Sequence, residues 1–171
     1  CAVYLQSIDI NHLLEHEDFS RALPLIAIPT TSGSASEVTP ASVISDKSNG
    51  LKVPLIGPGL YPTAAIVDPE LTLTCPERIT ATSGIDVLCH ALDCLGSANK
   101  NPMSDAIAIS AAKLAFENLE RAYHEPMNIE ARENMALASV MAGVAFSQTG
   151  TSAAHAFSYY LTSNYDVPHG E

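Results

Sequence analysis

The stretch from Thr80 to Leu95 reads TATSGIDVLCHALDCL, and its apolar residues recur every three or four positions. This spacing predicts a helix with one buried face. Asp86 and His90 are four residues apart, so a helix places both side chains on the same face among apolar neighbours. A buried charge without a partner is costly. The pattern therefore fits either an ordinary Asp–His ion pair or half of a metal site.

Helical periodicity continues to the end of the chain. It predicts a second helix from Ser104, a third over Ile129–Phe146 and a fourth over Ala153–Leu161. Asn128 precedes the third helix and is a suitable N-cap, because its side chain can accept hydrogen bonds from first-turn N–H groups. Residues after about 76 are therefore expected to be helical.

The first 70 residues follow a different pattern. Short apolar runs at Leu25–Pro29 and Ala64–Asp68 predict two strands, each ending beside a proline. Ser42–Ser45 and Leu51–Ile56 flank the turn residues 46–50 and predict a hairpin. The change from strands to helices predicts a domain boundary near residues 70–76.

Composition limits the class of protein. With 47% hydrophobic and 16% charged residues the chain is globular, and no apolar run approaches the roughly 20 residues that span a bilayer. Acidic residues outnumber basic ones 19 to 8, which argues against nucleic-acid binding because phosphate contacts need clustered Lys and Arg. Four cysteines without a C-x-x-C pair indicate free thiols in a reducing compartment, and we expect the cytoplasm.

Two more histidines could complete a metal site. His155 is flanked by small and apolar residues, and His169 lies between Pro168 and Gly170, where a loop can direct its ring inward. Together with Asp86 and His90 they would give three imidazoles and one carboxylate, a set that suits divalent iron or zinc. Each histidine taken alone is more often a core or solvated residue, so spacing leaves both interpretations open.

A hydroxyl-rich loop follows the first predicted strand. Residues 29–39 read PTTSGSASEVT and group several hydroxyls around Gly33. Such a loop can hydrogen-bond phosphate or ribose, although serine- and threonine-rich turns are common after strands. It contains neither the Gly-x-Gly-x-x-Gly fingerprint nor the P-loop motif.

Taken together, these motifs resemble the iron-containing alcohol dehydrogenase family. The similarity runs in order from about residue 24 to the end of the chain and is carried by residues 28–39, 65–72, 81–91, 102–106, 135–139, 142–147 and 167–170. It implies an incomplete Rossmann-like dinucleotide-binding α/β domain over residues 1–72. An incomplete all-α metal-binding domain over residues 73–171 would follow, in a dehydroquinate synthase-like architecture.

The resemblance also implies roles for particular residues. The metal ligands would be Asp86, His90, His155 and His169. The contacts to NAD or NADP in this region would come from Thr30, Thr31, Thr39 and Lys52. The family's glycine-rich phosphate loop, expected upstream, is absent from this sequence, which begins at Cys1 without Met. We therefore expect a signal-peptide-free central fragment of a chain about twice as long.

Two positions depart from the family pattern. Ala35 stands where a glycine is common, and Tyr159 stands where many members have a histidine that lines the nicotinamide side. Tyr159 follows His155 by four residues, so a helix places both on one side. It is either a packing aromatic or a residue that shapes the substrate pocket.

The activity implied is hydride transfer between NAD(P) and a small alcohol or aldehyde at a divalent metal, iron with zinc as the alternative. A zinc-dependent polyol dehydrogenase or dehydroquinate-synthase-like enzyme of the same superfamily is one alternative, although those usually use three protein ligands. A metal hydrolase and an inactive metal-binding fragment are alternatives of other classes. The full-length protein is expected to be a homo-oligomer, a dimer, with neither nucleic-acid nor membrane partners.

Overall fold

Helices follow strands along the chain, in the order that the periodicity predicts. The computed structural model describes residues 23–46, 51–165 and 167–171. The described strands are β1 (Ile26–Ala27), β2 (Ala41–Asp46), β3 (Leu51–Ile56) and β4 (Ala64–Ala65). The described α-helices are α1 (Glu77–Gly96), α2 (Pro102–His124), α3 (Ile129–Thr149) and α4 (Ala153–Tyr165).

The strands form two small sheets. β1 pairs in parallel with β4, Ile26 opposite Ala64. β2 and β3 pair in antiparallel, Ala41 opposite Ile56, and form the predicted hairpin. Residues 47–50 of the predicted turn lie outside the described residues. Two sheets of two strands do not make a complete dinucleotide-binding sheet, so the Rossmann-like interpretation and the division at residue 72 stay predictions.

The first three helices pack into a bundle around a core of small residues. Alanine side chains are small, so the helix backbones can approach closely. The many van der Waals contacts made at this distance stabilise the core. The buried core residues are Val87, Ala91 and Cys94 of α1, Ala108, Ala111, Ala115 and Ala122 of α2, and Ala131, Met135, Ala138, Ala142 and Ala145 of α3. The shorter α4 lies against β3.

Side-chain caps define where two helices begin. Asn101 caps α2 by accepting hydrogen bonds from Met103 and Ser104 N–H groups, and Pro102 occupies the first helical position, where no N–H is needed. Helix α2 therefore begins two residues before the predicted start at Ser104. Asn128 caps α3 through the Ala131 N–H, as predicted.

Helix α4 is longer than the sequence pattern predicts. The polar residues 162–164 were expected to follow the helix, but they are helical. The Thr162 hydroxyl donates to the Ser158 carbonyl, and the Asn164 amide donates to the Tyr160 carbonyl. These bonds return the polar side chains to the helix's own backbone, so they do not end it. None of the helices in the described ranges is long and apolar enough to cross a membrane.

The hydroxyl-rich loop packs directly on α3. Ala35, before a short 3₁₀ turn (Ser36–Val38), is buried and has a left-handed backbone with φ 51°. A Cβ added to Gly143 would lie 2.4 Å from the Ala35 Cβ and 2.7 Å from a Val38 methyl group. Because Gly143 has no side chain, it leaves the space that the Ala35 methyl group fills. This is how the structure accommodates alanine at position 35, where the family commonly has glycine.

We expect Gly143→Ala to lower the free energy of unfolding by about 1–3 kcal/mol, because the added methyl group overpacks this contact. Adding Ala35→Gly should recover part of the loss, since it removes one clashing methyl group and the left-handed strain. Urea denaturation of the full-length protein measures both effects. Gly96→Ala is the matched control, because nothing lies within 4 Å of its added Cβ. Equal stability of Gly143→Ala and Gly96→Ala would contradict the packing account.

Candidate metal centre

One face of α1 carries the polar groups at the centre of the site. Asp86, His90 and Asp93 follow one another at intervals of four and three residues, so their side chains share that face. Asp86 is 8% exposed and His90 is 4% exposed. The Asp86 Oδ1 lies 3.6 Å from the His90 Nε2. The two side chains are therefore neighbours on the helix, as their spacing predicts, and both are buried.

His155 comes from the first turn of α4. Its backbone N–H lies 3.4 Å from the Ser152 hydroxyl, which is positioned to cap the helix. The ring is buried and stacks on His90, with the ring centres 4.8 Å apart. The Phe146 ring also packs on His90, with the two ring centres 4.3 Å apart. Aromatic packing therefore holds both imidazoles in place.

His169 comes from the segment that follows α4. This segment approaches α1 closely, because a Cβ at Gly170 would lie 2.3 Å from the Thr82 carbonyl oxygen. Arg78 of α1 also binds Glu171, with its Nε 2.6 Å from the carboxylate. These contacts hold the His169 Nε2 at 3.7 Å from the Asp86 Oδ1 and 3.1 Å from the His155 Nε2. The His169 side chain remains 31% exposed, on the open side of the cluster.

The spacing of the donor atoms of Asp86, His90 and His155 fits a single metal ion, and His169 contacts two of these three residues. The donor atoms of Asp86, His90 and His155 all lie within 4.8 Å of one another, and the contacts involving His169 are 3.1 and 3.7 Å. Two donors that are each about 2.1 Å from one tetrahedral ion lie about 3.4 Å apart. The structure thus brings together the four residues that the resemblance implies, and their chemistry suits divalent iron or zinc.

Burial shifts the protonation of the cluster toward uncharged groups. It raises the pKa of Asp86 to about 7, and the negative charge of Asp93 adds to the shift. Burial also lowers the pKa of His90 to about 3, with further contributions from His155 and His169. The pKa values of His155 and His169 are lowered as well, mainly by burial. Neutral imidazoles with free lone pairs are the form that binds a metal.

Asp93 and Ser158 contact the Nδ1 atoms of His155 and His169, and the sequence patterns above do not single them out. The Asp93 Oδ2 lies 3.4 Å from the His155 Nδ1, and the Ser158 Oγ lies 3.0 Å from the His169 Nδ1. Asp93 could have been found from its place three residues after His90. The role of Ser158 depends on a residue eleven positions away, which no local pattern shows. The His90 Nδ1 has no hydrogen-bond partner among the described residues.

Tyr159 lies beside the two outer histidines. Its ring stacks on His169, with centres 5.3 Å apart and planes inclined by 26°, and meets the edge of His155 at 5.8 Å. Burial raises the pKa of its hydroxyl, and the charge of Asp86 adds to this. The tyrosine therefore borders the cluster as its position after His155 predicts.

The residues expected to bind the cofactor occupy different environments. Thr30 and Thr31 are exposed, whereas Thr39 is buried. Lys52 is half-buried on β3, and its charge contributes to the lowered pKa of His169. The charge of its ammonium group thus acts on the cluster of candidate metal ligands. Thr30 and Thr31, in contrast, lie at the surface of the hydroxyl-rich loop.

A buried arginine connects α3 with α1 near that loop. Arg132 of α3 is 3% exposed, and it donates to the Thr80 hydroxyl at 2.7 Å and to the Pro126 carbonyl at 3.0 Å. It lines a small cavity together with Thr31 and Ser83. Sequence analysis gave no sign of this residue, since its hydrogen-bond partners are distant in the sequence.

Comparison with known proteins places this geometry in a family. The C-terminal model of the iron-containing alcohol dehydrogenases matches residues 80–171, and the companion model of these enzymes matches residues 1–69. The chain belongs to the iron-containing alcohol dehydrogenase family. The four residues that converge in the cluster all lie within the first of these matches.

Several members of the family are similar to the chain. It is 47% identical over 145 residues to the 1-propanol dehydrogenase of Salmonella typhimurium, covering 85% of the chain and 39% of that enzyme. Identity to the NAD-dependent methanol dehydrogenase of Bacillus methanolicus is 42% over 148 residues, covering 86% of the chain and 39% of that enzyme. The chain therefore spans about two fifths of the length of these dehydrogenases.

Solved structures of the family share the fold. The sulfoacetaldehyde reductase of Bifidobacterium kashiwanohense in complex with NAD+ matches with a TM-score of 0.89 and 43% identity, covering 99% of this chain and 46% of that one. The iron-containing alcohol dehydrogenase of Thermotoga maritima matches with a TM-score of 0.89 and 37% identity, covering 98% and 45%. The described arrangement of strands and helices is thus that of the iron-containing alcohol dehydrogenase fold.

We expect metal binding to compete with one proton on Asp86. Its raised pKa means that the metal-free carboxyl is protonated below about pH 7, while His90, with a pKa lowered to about 3, is already neutral. A divalent ion must displace this proton, so its affinity should be about tenfold weaker at pH 6 than at pH 8. Chelator competition with full-length protein, corrected for protonation of the chelator, measures this. Equal affinity at both pH values would contradict the assignment of Asp86.

Proposed function

We propose that the full-length protein transfers hydride reversibly between a nicotinamide cofactor and a small alcohol or aldehyde, at a divalent metal bound by Asp86, His90, His155 and His169. The observation that carries the proposal is the convergence of these four side chains from α1, α4 and the following segment. Membership of the iron-containing alcohol dehydrogenase family supports it.

The metal that we propose is iron. Three imidazoles and one carboxylate suit both iron and zinc, so the donor set alone does not choose between them. The name of the family favours iron. A divalent cation at this site supplies Lewis-acid stabilisation for negative charge on a substrate oxygen. The four side chains of this chain would hold the cation, with Phe146 packed on His90 and Tyr159 packed on His169.

The cofactor that we propose is NAD. The methanol dehydrogenase relative is named as NAD-dependent, and the sulfoacetaldehyde reductase was solved with NAD+. The nicotinamide supplies or accepts the hydride. Thr30 and Thr31 offer exposed hydroxyls to the cofactor, and Thr39 is buried. Lys52 provides a positive charge that acts on His169, at the open side of the cluster of proposed metal ligands.

Membership of this family favours hydride transfer over metal-dependent hydrolysis. A hydrolase needs the metal cluster but has no use for a dinucleotide-binding loop next to it. In this chain the backbone of Gly33, within the hydroxyl-rich loop, lies close enough to influence the pKa of His90. The loop and the metal cluster are therefore neighbours, as hydride transfer to a metal-held substrate requires. We also propose that the protein is a homodimer and that it lies in the cytoplasm, the reducing compartment that four cysteines without a C-x-x-C pair favour. Light scattering of the full-length protein tests the dimer.

We expect the full-length enzyme, loaded with Fe²⁺, to reduce small aldehydes such as propanal with NADH. Turnover should be lost in the metal-free protein and in His155→Ala, because this change removes a metal ligand. His124→Ala is the matched control, since that histidine is exposed on α2 and lies outside the cluster. Absorbance of NADH and metal analysis together measure the result. Hydrolysis of esters or amides without nicotinamide, together with no aldehyde reduction, would contradict the proposal. Activity with zinc and none with iron would show that the proposed metal is wrong.

We expect Tyr159→Phe in the full-length enzyme to change turnover or aldehyde preference and to leave the metal content intact. The ring stacks on His169, so phenylalanine can preserve the packing while the hydroxyl is removed from the pocket. Tyr160→Phe is the control, because that neighbouring ring is exposed and stacks on Phe157 instead. If Tyr159→Phe matches the parent across a panel of aldehydes, the residue serves packing alone.

A further inference from the structure

The histidines that reach the cluster from outside α1 each have a partner behind the ring. We propose that Asp93 and Ser158 are positioning residues that fix the tautomers of His155 and His169, so that both Nε2 lone pairs face the metal. This inference rests on the metal site of the proposed function, and it assigns a task to two residues that do not bind the metal themselves. The His90 Nδ1 has no side-chain partner of this kind among the described residues, although the Gly33 backbone lies close enough to affect the His90 pKa.

Asp93 acts on His155. The Asp93 Oδ2 lies 3.4 Å from the His155 Nδ1 and also accepts a hydrogen bond of 3.1 Å from the Ser152 N–H. A carboxylate can only accept, so it favours the tautomer in which Nδ1 carries the proton and Nε2 does not. The N-terminus of α4 further favours a negative charge at this point. One carboxylate oxygen therefore fixes both the start of the helix and the ring that the helix carries.

Ser158 acts on His169. The Ser158 hydroxyl donates its single hydrogen to the His155 carbonyl oxygen, 2.6 Å away. Its oxygen can then only accept from the His169 Nδ1, which lies 3.0 Å away. The proton of His169 is thus placed on Nδ1, and the Nε2 lone pair is left for the metal. The same hydroxyl connects the backbone of one ligand to the ring of another.

The contact between the two rings fits these tautomers when a cation is bound. The Nε2 atoms of His155 and His169 lie 3.1 Å apart. Two nitrogens without protons repel each other at this distance, unless a cation lies near both. Buried polar partners of metal-binding histidines orient the ring and raise its basicity, and their loss weakens metal affinity by about 10–100-fold. The arrangement of Asp93 and Ser158 is therefore the one that a metal-binding pair of histidines needs.

The test measures Zn²⁺ affinity of the full-length protein by chelator competition. Asp93→Asn and Ser158→Ala should each weaken it by about 10–100-fold, whereas Ser158→Thr, which keeps the hydroxyl, should stay close to the parent. Glu117→Gln is the control for the carboxylate, because it lies exposed on α2. Ser110→Ala is the control for the hydroxyl, because Ser110 also bonds a backbone carbonyl but has no histidine partner. Both controls should match the parent.

A second measurement reports the tautomers directly. Nitrogen-15 spectra of the zinc-loaded protein should show the protons of His155 and His169 on Nδ1, and the Nδ1 proton of His169 should exchange faster in Ser158→Ala. Unchanged affinities in Asp93→Asn and Ser158→Ala, or an equal loss in Ser158→Ala and Ser158→Thr, would overturn the positioning role. If circular dichroism shows that Asp93→Asn does not fold, the affinities of the parent, Ser158→Ala and Ser158→Thr decide whether the positioning role holds. A parent protein that binds no Zn²⁺ would instead overturn the proposed metal site.

Discussion

The structure depends on the burial of Asp86 and His90 on the inner face of α1. The helix face that carries them continues into an apolar bundle core, so neither group can be solvated as it would be at a surface. Without a cation the carboxyl keeps its proton up to about pH 7 and the imidazole is neutral, because burial raises the pKa of Asp86 and lowers that of His90. A divalent ion reverses this penalty, because it attracts the charged carboxylate and the imidazole lone pair together. The metal is thus expected to stabilise the helix arrangement as well as to serve the chemistry.

The segment that carries His169 is held against the same helix. Gly170 lies against the Thr82 carbonyl, and Arg78 binds Glu171, so the segment carrying His169 is fixed one turn before Asp86. The hydroxyl-rich loop is fixed to α3 through Ala35 and Gly143, and a serine of that helix lies within hydrogen-bond distance of the loop's backbone. Metal ligands and candidate cofactor contacts are therefore positioned by one set of packed helices.

The sequence predicts local features better than distant ones. The pairing of Asp86 with His90 and the hairpin of β2 and β3 follow from periodicity and turn residues, which act over a few positions. The end of α4 was predicted wrongly, because hydroxyl and amide side chains bonded to the helix backbone resemble a loop in the sequence. The convergence of His155 and His169 on α1 needed the family resemblance, since their spacing alone left it open. Ser158 and Arg132 act through tertiary contacts that no local pattern contains, whereas Asp93 shares the helical spacing of Asp86 and His90.

Anomalous diffraction from crystals of the full-length protein, grown with iron or zinc, tests the central claim most directly. The account predicts one strong peak among the four side chains, about 2.0–2.3 Å from a carboxylate oxygen of Asp86 and from a ring nitrogen each of His90, His155 and His169. A saturated crystal with no peak there would contradict it. So would a peak whose ligands exclude Asp86, with His169 turned to the solvent.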